Sequence, residues 1–108
     1  MPIYTVTTLR GALAAGNRAI GYFETFKEAE EVVINNELDI CEEGYYHYAV
    51  IEEVHPGIYT VPRTEIWYKW NREKGQYENI IEKPDRFKQI CGWSLGWVKT
   101  KKLNSMYV

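Results

Sequence analysis

Arg10, Asn17 and Arg18 are the side chains of this sequence best suited to hold an anion. Two guanidinium forks and an amide match phosphate oxygens and sugar hydroxyls, and charge-assisted bonds of this kind are the strong ones. Flat rings are the second resource. Trp67-Tyr68-Lys69-Trp70 puts two indoles and a phenol into four residues, and Trp93 and Trp97 follow. Phe, Trp and Tyr make up 15% of the chain, more rings than one small core readily hides. A ring near the surface can stack a nucleobase, worth roughly 1–3 kcal/mol per base. The same rings could instead build the core and a dimer interface, where aromatic residues are enriched. Trp67, Tyr68, Trp70, Trp93 and Trp97 offer such surfaces, with Trp67, Trp70 and Trp93 as the first stacking candidates.

Other chemistry finds less support in the spacing. Cys41, His47, His55 and Cys91 lack the paired short intervals that preorganise zinc, so no metal site is expected. Cys41 sits beside Glu42-Glu43, whose charge raises a thiol pKa rather than activating it. Ser94 and Ser105 have no nucleophile-elbow context. Gly11 and Gly16 flank a loop without either phosphate-cradle spacing. Acid–base work by His47 or His55, as in a small phosphodiesterase, is the catalytic alternative. The expectation is a binder with no cofactor and no turnover.

Charge is unevenly spread. The net charge is −2, yet residues 24–53 hold ten acids against Lys27 alone, and residues 83–108 hold six bases against Asp85. Such asymmetry reads as solvated acidic and basic faces, or as basic ends that converge on an anion or dock on another subunit's acidic face. A near-neutral balance argues against a nucleic-acid polymer as partner, because that needs a basic face over many phosphates.

The elements that must position these groups are legible in outline. Residues 3–9 and 18–23 read as β-strands joined by a glycine-rich loop, so that Arg10, Asn17 and Arg18 share a hairpin tip. Gly21 within the second strand suggests a bulge or a close backbone approach. Thr25-Phe26-Lys27-Glu28 matches a capping box, with Glu28 reaching back to the Thr25 backbone N–H. Phe26, Ala29, Val32 and Val33 then recur at helical spacing until Asn35-Asn36. Residues 45–54, 64–70 and 77–81 read as three more strands, the last two a hairpin with Gly75 at positive φ. In the fourth strand, Ile66, Tyr68 and Trp70 alternate with Glu65, Trp67 and Lys69. One of those faces exposes indole unless both are covered. Pro84 begins a short helical turn through Ile90. The whole is one α+β domain over residues 1–108, a largely antiparallel sheet of about five strands with one amphipathic helix on a face. With two cysteines, no signal-peptide pattern and no run of roughly 20 apolar residues, the expected place is a reducing cytosol, away from membranes.

Gly16-Asn17-Arg18-x-x-Gly21-Tyr22-Phe23, Glu28-Ala29-Glu30, Tyr48 to Glu53 and Glu82-Lys83-Pro84 together resemble a group of small proteins from bacteria and their phages. The layout of residues 3–96 also resembles the phage anti-defence sponges that inhibit Thoeris immunity. The resemblance implies a homo-oligomer that sequesters cyclic ADP-ribose isomers or related nucleotide signals without cleaving them. It implies Arg18, Asn17 and Arg86 on phosphate and ribose, with one tryptophan against the base. Where the sponges carry a C-terminal arginine pair, this chain has Arg86 with Lys83 and Lys88 nearby. The rival reading is a protein–protein module acting on a host protein.

Overall fold

The computed structural model describes residues 2–11, 17–57 and 64–88. The loop at 12–16, Cys91, Trp93, Trp97, the glycine-punctuated stretch 91–97 and the basic stretch 99–108 lie outside the described residues.

Five antiparallel strands form one sheet in the order β2-β1-β3-β4-β5, from β1 (Ile3–Leu9), β2 (Arg18–Phe23), β3 (Tyr48–Val54), β4 (Glu65–Asn71) and β5 (Gln76–Ile80). The expected α+β architecture is the observed one. The β1–β2 register slips between Val6 and Thr7, opposite Gly21 and Ala19, leaving Ile20 as the extra residue of a bulge. That is the irregularity Gly21 suggested.

Helix α1 (Phe26–Ile34) follows β2. The Glu28 backbone N–H donates to Thr25 Oγ1 (3.2 Å), as a cap requires. The reciprocal contact differs from the capping-box expectation. The Glu28 carboxylate accepts from the Thr25 hydroxyl (2.9 Å) rather than from the Thr25 backbone N–H.

Both faces of β4 are covered, which answers the alternation puzzle. On the helix side, Tyr68 and Tyr77 pack with Val6, Ala29, Val33, Ala49 and Ile51, all fully buried. The two phenols are not stranded: Tyr68 Oη donates to Glu30 Oε2 (2.5 Å), and Tyr77 Oη to the Tyr46 carbonyl (2.7 Å). On the other side Trp67, 3% exposed, packs with Leu9, Val50 and Phe87. Phe87 belongs to a 3-10 turn (Asp85–Phe87), with Pro84 as the extended residue just before it rather than its first helical residue. Burying one such ring contributes roughly 1.5–3 kcal/mol.

The third strand starts later than its composition suggests, at Tyr48 rather than Tyr45. The chain reaches it through a tight passage that propensity does not announce. Between α1 and β3, Asn36, Leu38, Asp39, Glu42 and Glu43 all have positive φ, from 46° to 58°. Side chains seldom tolerate that region, because Cβ crowds the following carbonyl. Local bonds hold it. Asp39 Oδ1 accepts from Asn36 Nδ2, from Cys41 Sγ and from the Glu43 N–H, and Asn36 Oδ1 accepts the Cys41 N–H. Ile40, Cys41 and Tyr46 are buried beneath it.

Candidate functional site

The register brings one end of the sheet into focus. Leu9, Tyr48, Lys69 and Glu78 form a single row across β1, β3, β4 and β5. One residue further out lie Arg10, His47 and Trp70, with the Trp70 N–H donating to the His47 carbonyl (2.8 Å). At a strand spacing of about 4.8 Å, β1 and β4 are roughly 10 Å apart here.

Three arginines lie at this end, two from the β1–β2 hairpin and one from beyond β5. Arg10 follows β1, and its guanidinium carbon lies 4.3 Å from the centroid of the Tyr45 ring. Arg18 opens β2, opposite Thr8, and its Nη1 lies 2.5 Å from Glu42 Oε2. Arg86 arrives from the 3-10 turn beyond β5, and its Nη1 donates to the Gly11 carbonyl (2.5 Å). Gly11 is the crowded point. A Cβ there would lie 3.0 Å from Arg86 Nη1 and 3.5 Å from His47 Nδ1, so the absent side chain lets a cation and an imidazole approach the backbone.

Exposure separates this region from the core. Arg18 and Arg86 are exposed, Arg10 is partly buried, and Tyr45 is 47% exposed. Asn17, next to Arg18, is exposed as well. A guanidinium presents planar, forked N–H donors that match the oxygens of carboxylates and phosphates. Tyr45 adds a ring face already polarised by a cation.

The other sequence candidates fall elsewhere. Trp67 is part of the packed face. Its ring stacks on Phe87 (centroids 5.3 Å, 12° between planes), and its Nε1 donates to Glu65 Oε1 (3.2 Å). Trp70 is at the right end but on the helix side, partly buried and edge-on to Tyr77. A Cβ on Gly44 would lie 3.4 Å from its Nε1. Lys88 pairs with Asp85 (2.7 Å), which raises the lysine pKa and lowers the carboxyl's. Trp93 is outside the described residues. Tyr45 and His47 join the arginine end without having been singled out for it by their surroundings in the sequence. The Tyr45-Tyr46-His47 run reads as strand, and only its departure from the sheet turns those side chains toward Arg10 and Gly11.

Cys41 is buried, and burial first, with Asp39 adding to it, pushes its thiol pKa up. Its Sγ also accepts the Gly44 N–H (3.3 Å). It is a structural hydrogen-bonding group of the loop. Among the described residues no helix is long and apolar enough to cross a membrane.

No known protein family, curated protein or solved structure matches this chain.

Proposed function

We propose that the protein is a non-catalytic sponge that sequesters a nucleotide-derived immune signal, a cyclic ADP-ribose isomer or a related nucleotide, in pockets of a homo-oligomer. One observation carries this reading: Arg86, from beyond β5, reaches the end of the sheet that carries Arg10 and Arg18, beside an exposed tyrosine. The arginines hold phosphates and ribose, with Asn17 beside Arg18. Tyr45 takes the stacking role that Trp67, packed against Phe87, is poorly placed to fill. Permanently charged donors favour capture over turnover, because a guanidinium does not exchange protons near neutral pH. The proposed place of action is the bacterial cytosol, where such signals are made.

Isothermal titration with cyclic ADP-ribose tests the reading. Binding should fall at least about a hundredfold in Arg10→Ala/Arg86→Ala, since each lost charge-assisted bond is worth about 1.5–3 kcal/mol. Heating the complex should return the ligand intact. A hydrolysed product would make the protein an enzyme, and no binding by any nucleotide would end the reading.

A second reading has its own support. Leu38 and Ile81 are 100% and 99% exposed, and a partner protein that covered them would remove apolar surface from water. A protein–protein module would lose capture of its partner in Leu38→Asp/Ile81→Asp while keeping the arginines dispensable.

A further inference from the structure

We infer that Glu42 is a built-in competitor for the anion received at the arginine end. The inference rests on the reading of Arg18 as a ligand-holding group and concerns the regulation of that same site.

Glu42 Oε2 occupies the Arg18 guanidinium at 2.5 Å, and both side chains are about half exposed (49% and 46%). A carboxylate offers a guanidinium the same planar pair of oxygens that a phosphate does. Arg18 therefore already holds an anion, and an arriving one must displace it. What makes this more than a chance surface pair is the way Glu42 is presented. Its backbone lies in the left-handed region, φ 49°. The loop around it is fastened independently of Arg18, through the Asp39 carboxylate and the buried Ile40 and Cys41. The same loop carries Tyr45, the ring against Arg10. Glu42 is thus presented to Arg18 by a preformed scaffold, and its departure leaves that scaffold in place. A captured ligand is held less tightly than the arginines alone would hold it, which sets the concentration at which the protein begins to sequester.

Inorganic pyrophosphate serves as the minimal anion, with titration calorimetry of the wild type, Glu42→Gln, Glu43→Gln and Arg18→Ala. Glu42→Gln should bind about threefold more tightly, the factor a half-exposed ion pair is worth. Glu43→Gln, which removes the neighbouring charge, should gain less. In the Arg18→Ala background, Glu42→Gln should bring no gain. Unchanged or weaker binding in Glu42→Gln overturns the inference, as does an equal gain from Glu43→Gln or in the absence of Arg18. The Arg18 Nε–H resonance, followed during a sulfate titration, separates this failure from failure of the function. If that signal moves at about threefold lower sulfate in Glu42→Gln than in the wild type, the competition stands even for a protein that binds no nucleotide. If the two midpoints coincide, or the signal is silent in both, the competition is wrong.

Discussion

The interior of the sheet and its arginine end use the same kinds of groups in opposite ways. In the interior, Tyr68 and Tyr77 are fully buried, and each hydroxyl has one fixed acceptor. At the end, Arg10, Arg18 and Arg86 touch a ring, a carboxylate and a carbonyl across surfaces open to water. Removing a partner in the interior leaves a dry polar group, which is costly, whereas water replaces a lost partner at the surface. Polar contacts in the first region define the fold. Those in the second can be handed to a ligand.

Phe87→Ala should produce the largest effect. It removes a fully buried ring stacked on Trp67 and should lower stability by about 3–5 kcal/mol, or Tm by roughly 15 °C or more. Thermal denaturation followed by circular dichroism reads it directly. A small change would mean that the turn carrying Arg86 is only loosely docked.

Alkaline pH probes the other core face. Burial first, with Glu30 adding to it, raises the Tyr68 phenol above its ordinary range, and burial first, with Cys41 and Asp39 adding to it, does so for Tyr77. In the unfolded chain both ionise near pH 10. Their full contribution is therefore present below pH 10 and declines as pH climbs above it, by about 1.4 kcal/mol per pH unit for each tyrosine. Urea midpoints at pH 9 and pH 11 should differ accordingly, and Tyr68→Phe and Tyr77→Phe should each remove one share of the difference. Identical midpoints would show that water reaches these hydroxyls.

Thr7→Val sharpens the rule about dry polar groups. Thr7 is 1% exposed, and its Oγ1 has no hydrogen-bond partner among the described residues. The isosteric apolar side chain should raise stability by about 1 kcal/mol in chemical denaturation. A loss would reveal a partner for that hydroxyl.

Arg18→Ala should be nearly silent by the same measurement, below about 1 kcal/mol, while weakening anion binding. A drop in stability as deep as that of Phe87→Ala would erase the contrast and make the arginine end structural.

The strands and the helix were legible because each is local. The β-branched and aromatic run of β1, the Thr25 cap and Gly75 with φ 65° are decided within a few residues by sterics and hydrogen bonding. The loop from Asn36 to Gly44 was not legible. Five non-glycine residues with positive φ oppose local preference, and buried Ile40 and Cys41 with the Asp39 bonds override it. The aromatic candidates divide for the same reason. Period 2 separates Trp67 from Tyr68 and Trp70, but periodicity cannot say which face another element will cover. Phe87 covers one and α1 the other.

By itself, then, the sequence determined the strand and helix identities and a supply of arginines suited to anions, because composition and short-range geometry carry that information. Only the tertiary structure decided that Arg86 joins Arg10 and Arg18 at one end, that Trp67 is core, and that Tyr45 faces Arg10 and Glu42 faces Arg18. Those are consequences of register and of how a strained loop is pinned, and both are set by contacts between residues far apart along the chain.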